Sequence, residues 1–178
     1  MTGTERAILQ SLDEILRSKE IKKKVLPIVE RVRRDLTQKP KAVMAWEPIP
    51  LTTFGNGLPP GIRSSWVFIL RAGVNTGPER HPNSHQRMMS LEGTGDLQMT
   101  TSLDAPWQSH VLESNPKESL EQRWVSIPQN VWHQPVVSKE ADWVVVSFHT
   151  VPAEELIEER PAPDSATGTR QMVYLEEM

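Results

Sequence analysis

The pattern of the sequence changes near residue 42, and this change constrains the fold more than any other feature. From there on, Gly and Pro separate short segments rich in Val, Ile, Trp and Phe, with no helical periodicity between them. Many short strands at hairpin spacing predict an antiparallel sandwich or barrel. The predicted strands are residues 42–46, 51–54, 65–71, 87–91, 96–101, 109–112, 122–127, 131–136 and 142–150. The side chains expected in the apolar interior or in sheet packing are Trp66, Phe68, Leu70, Leu97, Met99, Val144, Val146 and Phe148.

The first 41 residues carry a different pattern, in which apolar side chains recur at helical spacing. This periodicity predicts amphipathic helices over 4–18 and 19–38. Thr2 and Glu5 fit a capping box at the first helix. Pro27 indicates either a kink in the second run or the first turn of a new helix.

The last 27 residues are acidic and rich in Pro, Ala and Glu. They predict one short helix over 152–160, followed by loop or disorder over 161–170. The expected organisation is a helical arm (1–41), a β-barrel (42–151) and an acidic tail (152–178).

Composition narrows the function classes. The 178 residues include no Cys, which excludes a disulfide framework, a Cys-ligated zinc site and thiol chemistry. The net charge of −3 is uneven: +5 over 1–41 and −5 over 152–178. The basic run is interpreted as a solvated helix face, so no nucleic-acid partner is expected. No apolar run approaches the ~20 residues of a membrane span, and the N-terminus lacks a signal-peptide pattern. We therefore expect a soluble cytoplasmic protein.

Histidine, carboxylate and amide side chains gather in two places. The first is Gly77-Pro-Glu-Arg-His-Pro-Asn-Ser-His-Gln86, which leads to the turn Leu91-Glu-Gly-Thr-Gly95. The second is Ile127-Pro-Gln-Asn-Val-Trp-His133. In this order and at this distance, the two segments resemble the paired motifs of the cupin superfamily over about residues 62–151. The resemblance implies a double-stranded β-helix, or jelly-roll barrel, preceded here by the helical arm.

The resemblance also implies a ligand set, with departures from the family pattern. Counted back from the Leu-Glu-Gly turn, the positions of the family's three His and one Glu fall on Glu79, His81, Gln86 and His133. Asn130 replaces the Gly of the second motif, and both residue types tolerate a left-handed backbone.

Two His with one carboxylate form a chemically coherent set. This is the combination found in non-haem Fe(II) oxygenases, and it suits one divalent Fe, Mn, Ni or Zn ion per chain. Glu79 and His81 are two residues apart, so both can point into the barrel from one strand. A bulge or register shift would instead bring His85 inward and turn Gln86 outward, so Glu79, His85 and Gln86 remain alternatives for the third ligand.

Other side chains are predicted to line a substrate pocket. Met88 and Ser90 share the face of Gln86, and Arg71 could hold an anionic substrate. His149 follows Trp143, Val145 and Ser147 on one strand face, where it is either a paired structural histidine or part of the pocket mouth. The expected partners are a small-molecule ligand and a second copy of the chain, since symmetric dimers are the commonest soluble oligomers. The helical arm is expected to be able to lie across the partner's barrel.

The leading functional hypothesis is a metal-dependent enzyme acting on a small organic molecule, with dioxygenase-type chemistry. The alternatives are a non-catalytic module that binds or senses a small ligand, and a metal-independent isomerase in which His81 or His133 acts as the base. Fold alone does not choose between these functions.

Overall fold

The computed structural model describes residues 1–162 and 168–173. Helices α1 (Gly3–Arg17) and α2 (Lys19–Gln38) occupy the predicted positions. The Thr2 hydroxyl accepts a hydrogen bond from the Glu5 amide, as expected for an N-cap. Glu5 does not complete a capping box in return, because its carboxylate accepts both hydrogen bonds of the Arg87 guanidinium at 2.7 and 2.8 Å. Helix α2 continues through Pro27, so the alternative of a new helix at that residue is wrong.

Ten strands and one further short helix follow in the part of the chain that the structure describes. They are β1 (Met44–Pro48), β2 (Ser64–Leu70), β3 (Gln86–Glu92), β4 (Thr94–Thr100), β5 (Val111–Glu113), α3 (Leu120–Arg123), β6 (Trp124–Ile127), β7 (Trp132–Val137), β8 (Trp143–His149), β9 (Ile157–Pro161) and β10 (Thr169–Val173). All pairings are antiparallel. One sheet has the order β1-β2-β8-β3-β6, a second has the order β5-β4-β7, and β9 pairs with β10. The two larger sheets confirm the predicted antiparallel β-fold.

Both faces of the five-stranded sheet are buried. Successive side chains of each strand point to opposite faces, so each strand contributes to two apolar layers. Its inner face packs against the three-stranded sheet, with Leu70, Met88 and Val145 meeting Leu97 and Leu112. Its outer face packs against α1 and α2. The side chains in this outer layer include Leu9, Leu12, Val29, Val32, Val67, Ile69, Val144, Val146 and Phe148.

The helical arm therefore covers the barrel of its own chain. The expectation that it lies across a partner's barrel does not match this placement, since the apolar stripes of both helices are already buried here. No helix within the described residues is both long enough and apolar enough to cross a membrane.

Two local predictions are wrong. Residues Leu51–Phe54 form a short 3₁₀ turn between Pro50 and Gly55, whose φ of 68° ends it. The predicted helix over 152–160 is limited to a 3₁₀ turn at Ala153–Glu155, after which β9 begins. Backbone pairing of Arg80 with Glu159, at 2.9 and 3.0 Å, outweighs the weak helical preference of this acidic segment. Of the predicted loop over 161–170, residues 163–167 lie outside the described residues, and Thr169 already belongs to β10.

Two glycines let the turn between β3 and β4 approach β8 closely. Gly93 has a φ of 80°, in the left-handed region, and a Cβ there would lie 2.7 Å from the Asp142 carbonyl oxygen. At Gly95 a Cβ would overlap the indole ring of Trp143, which is fully buried. The Leu-Glu-Gly-x-Gly turn therefore serves packing.

Helix α1 is attached to the barrel by a buried ion pair. Asp13 accepts hydrogen bonds from the Arg123 guanidinium, including one at 2.8 Å, and from the Trp124 indole at 2.9 Å. Burial raises the pKa of Asp13, but the hydrogen bonds from Arg123 and Trp124 outweigh it and hold the pKa below the ordinary 3.8. The carboxylate thus stabilises the fold in its ionised form.

We predict that Asp13→Asn lowers the free energy of unfolding by about 3 kcal/mol at pH 7, because Arg123 is left buried without its counter-charge. The depressed pKa makes this contribution complete above pH 3.8 and progressively lost as the pH falls below it. Urea unfolding at pH 7 and pH 3 measures both effects. Glu20→Ala, which removes the exposed partner of Lys24, is the control and should leave the midpoint unchanged. Equal losses at both pH values would contradict the electrostatic explanation.

We predict that Gly95→Ala destabilises the barrel by about 2 kcal/mol, because the new methyl group forces the Trp143 ring out of its packed position. Gly57→Ala is the matched control, since a Cβ there meets only Ile15 Cδ1 at 3.9 Å. Equal unfolding midpoints for the two variants would show that the turn can relax.

Candidate metal centre

Two backbone bridges assemble the centre from segments far apart in sequence. Glu79 pairs with His133 of β7 through two amide–carbonyl hydrogen bonds of 2.8 and 2.9 Å, and Arg80 pairs with Glu159 of β9. The segment at 79–80 thus lies between β7 and β9. Directly opposed residues of an antiparallel pair carry their side chains on the same face, so Glu79 and His133 meet.

His81 joins this pair because it follows Glu79 by two residues in an extended segment. One ligand atom from each of Glu79, His81 and His133 lies within 4.8 Å of the others. Glu79 Oε1 is 3.4 Å from His133 Nε2, and the two imidazole centroids are 5.4 Å apart. A single cation placed between these atoms would contact all three side chains.

Backbone carbonyls orient both imidazoles. His81 Nδ1 lies 3.0 Å from the Ile157 carbonyl oxygen, and His133 Nδ1 lies 3.2 Å from that of Val131. A carbonyl oxygen only accepts, so Nδ1 carries the hydrogen and Nε2 presents its lone pair. Metal-ligating histidines characteristically donate their second ring nitrogen in this way.

Three buried polar atoms around the centre lack hydrogen-bond partners among the residues that the structure describes. They are His133 Nε2, Gln86 Oε1 and Thr76 Oγ1, and all three residues line one small chamber of about 30 Å³ between the sheets. An unsatisfied buried polar atom costs about 1–3 kcal/mol, so native proteins hold few of them. Their convergence on one chamber, which has room for little more than an ion and a water molecule, fits a bound cation.

The electrostatics favour the ligand form of each group. Burial raises the pKa of Glu79, but the close approach of the His133 ring, 3.4 Å from Oε1 to Nε2, and the positive charge of Arg160 outweigh it and bring that pKa to about 2. Burial, with repulsion from His133, lowers the pKa of His81 to about 4. At neutral pH the centre presents a carboxylate beside an uncharged His81 imidazole, and metals bind such deprotonated groups.

Arg160 of β9 holds the Glu79 carboxylate in place. Its Nη2 donates to Glu79 Oε2 at 2.5 Å, its Nη1 to the Thr76 carbonyl at 2.9 Å, and its Nε to Glu158 at 2.5 Å. Because the ion pair uses Oε2, Glu79 Oε1 still faces His133. Sequence reasoning missed Arg160, because an arginine within an acidic tail shows no pairing signal for a residue 81 positions earlier.

His149 lies behind His81. Its ring nitrogens contact the hydroxyl oxygens of Ser84, at 3.2 Å, and Ser147, at 3.3 Å, and its ring meets that of His81 edge-on at 5.1 Å. Burial, with repulsion from His81 and His133, places the pKa of His149 well below 6.5. His149 shares the inward face with Ser147 as predicted, but it supports His81 and does not line the chamber.

The structure does not bring His85 to the centre. Its Nε2 lies 2.7 Å from the Ser126 hydroxyl and 3.6 Å from Glu5, on the outer face beneath α1. Gln86, the first residue of β3, turns inward, so the register adopted is the one without the bulge that would bring His85 inside.

The predicted pocket residues separate in the same way. Met88 lines the chamber. Ser90 does not line the chamber. Its hydroxyl donates to the Gly93 carbonyl and accepts from the Trp143 indole. Arg71 does not line the chamber; it donates to the carbonyls of Leu36 and Ala42, which secures the C-terminus of α2. Arg71 therefore has a structural role.

No family model and no curated protein sequence matches this chain. Among solved structures, the capsular polysaccharide assembling protein CapF of Staphylococcus aureus is 14% identical over 73% of this chain and 32% of its own, with a TM-score of 0.49. An oxalate oxidase in complex with glycolate is 22% identical over 61% of this chain and 51% of its own, with a TM-score of 0.44. The oxalate decarboxylase of Lactobacillus farciminis, as a formate complex, is 11% identical over 62% and 29%, with a TM-score of 0.47.

This chain spans about a third or less of the length of the CapF structures. Identities this low carry no activity, substrate or partner over to it. The fold rests on the chain's own topology. An outer sheet ordered β1-β2-β8-β3-β6 faces an inner sheet ordered β5-β4-β7, which is a jelly-roll arrangement with two antiparallel sheets around one core. The chain therefore has the jelly-roll fold, preceded by two helices, that the sequence predicts.

Proposed function

We propose that each chain binds one divalent metal ion between Glu79, His81 and His133, with Gln86 as a further donor, and acts on a small organic molecule there. The observation that carries the proposal is the convergence of these donors on one chamber, where His133 Nε2 and Gln86 Oε1 have no hydrogen-bond partner within 1–162 and 168–173. Two imidazoles with one carboxylate suit Fe, Mn, Ni or Zn and leave coordination positions open.

When bound, such an ion supplies Lewis acidity and, if it is redox-active, dioxygenase-type oxidoreductase chemistry. The protein's part is to hold the donors and exclude water. The Ile157 and Val131 carbonyls orient the imidazoles, and Arg160 orients Glu79. Apolar side chains close the rest of the chamber, among them Phe68, Leu70, Met88, Leu97, Pro135, Trp143 and Val145.

A specific contact supports a second candidate, a metal-independent isomerase. Glu79 Oε1 and His133 Nε2 are 3.4 Å apart, with the imidazole buried and the carboxylate partly exposed, so the pair could carry a proton between two positions of a substrate. In this mechanism His133 is the base and Glu79 stabilises its protonated form. The first candidate retains a metal ion and the isomerase does not. A module that only binds a small ligand would likewise lack the metal.

We predict that protein purified without chelator or affinity-metal contact contains close to one equivalent of Fe, Mn, Ni or Zn, measured by elemental analysis. His81→Ala, His133→Ala and Glu79→Gln should each weaken metal binding by more than the roughly 10- to 100-fold that follows loss of a group hydrogen-bonded to a metal ligand. Calorimetric titration of the apo-protein with Ni²⁺ or Zn²⁺ measures the loss. Each variant should still unfold cooperatively, since the apolar cores on the two faces of the five-stranded sheet are untouched.

His85→Ala is the matched control, because this histidine is one residue from Gln86 but faces Glu5 and Ser126. It should retain full metal affinity. A larger loss for His85→Ala than for Glu79→Gln would assign the third ligand to His85. Full metal retention in both His81→Ala and His133→Ala would refute the site. Protein that neither contains nor takes up metal would favour the isomerase or the metal-free binding module.

A further inference from the structure

A second, wider cavity opens beside the metal chamber. It has a volume of about 300 Å³ and lies between β1 and the β9–β10 hairpin. Met44 and Thr76 line both cavities, so they form the boundary between them. We call the wider cavity the vestibule. Through it, a molecule too large for the chamber could place one end beside Glu79 and His133 and keep the rest outside.

The walls of the vestibule differ from its floor. Its walls are largely apolar and include Val43, Trp46 and Met172. Its floor carries Arg160 and Glu158, and Arg160 also contacts the Glu79 carboxylate of the chamber. An apolar cleft with a few convergent polar groups is the usual form of a small-molecule site.

Charge indicates which polar group the floor accepts. The contacting groups Glu79, Glu158 and Arg160 carry a formal charge of −1 together, and the neighbouring Arg80 and Glu159 form a neutral pair. A divalent cation in the chamber changes the sum from −1 to +1. In a site of low dielectric, an excess of one positive charge is best compensated by a monoanion.

We infer that the vestibule binds the apolar body of a monocarboxylate, whose carboxylate lies at the boundary of the chamber beside the metal and Arg160. This inference rests on the proposed metal centre, because without the cation the floor repels an anion. The β9–β10 hairpin then determines substrate class, since it provides Arg160, Glu158 and Met172.

The test is calorimetric titration of the full chain, saturated with Ni²⁺, with hexanoate, acetate and hexanamide. We expect hexanoate to bind more tightly than acetate, by about fourfold for each methylene group buried. Hexanamide, which has the same body without the charge, should bind at least tenfold more weakly than hexanoate. Metal-free protein should bind neither hexanoate nor acetate, because its floor carries a net negative charge.

Variants separate the roles of wall and floor. Met172→Glu should abolish hexanoate binding by repulsion, whereas Met172→Leu should preserve it, and both should keep the affinity for Ni²⁺. Arg160→Gln should weaken hexanoate at saturating Ni²⁺ more than Arg160→Lys does, because only the lysine keeps the charge. Trp46→Ala should make the affinities for hexanoate and acetate similar, because it removes part of the apolar wall. If Trp46→Ala fails to fold, Met172→Glu tests the same wall.

The outcomes distinguish this inference from the proposed function. If no Ni²⁺ binds, the metal centre and the vestibule inference are both refuted. If Ni²⁺ binds but hexanoate and hexanamide bind alike, or neither binds, only the inference is overturned. Tight binding of hexanoate to the metal-free protein would likewise overturn it, because the charge argument would then be wrong.

Discussion

The functional site of this protein depends on one short antiparallel contact, the backbone pairing of residues 79–80 with β7 on one side and β9 on the other. This pairing sets Glu79 opposite His133 and brings the Ile157 carbonyl to His81. It also delivers Arg160 to the carboxylate. A one-residue slip of this register would turn each of these side chains to the opposite face.

The same contact explains how a carboxylate and three imidazoles can be placed together in the interior. Withdrawing a charged group from water is costly unless a partner compensates it, and Arg160 compensates Glu79. Burial lowers the pKa of His81 and His149, so these rings enter the site without charge. The remaining cost in free energy lies in the buried polar atoms of His133, Gln86 and Thr76, which have no hydrogen-bond partner among the described residues. Proteins depart from full hydrogen-bond satisfaction mainly where a ligand or a function requires it.

The contacts between the helices and the barrel lie apart from the site. The helices cover the outer face of the five-stranded sheet, while the site lies on the inner face, and Glu5 and Asp13 attach α1 to the outer side only. This division explains why Arg71, Arg87 and His85 are structural although they stand close in sequence to site residues. Each of them projects to the side of the sheet where the helices lie, or toward a helix end.

The sequence by itself determined the two helices, eight of the strands and the pair of motif segments, because these follow from local periodicity and turn chemistry. It is also compatible with the left-handed backbone that Asn130 adopts, with a φ of 63°, because Asn tolerates this conformation. It left open whether His85 or Gln86 faces inward. Gln86 is seven residues from Glu79, so an unbroken strand would place the two side chains on opposite faces. The chain is irregular over 82–85, and this brings both side chains to the chamber. Only the tertiary structure decided this, and only it revealed Arg160, because both depend on pairings between segments about 50 to 80 residues apart that leave no local signal.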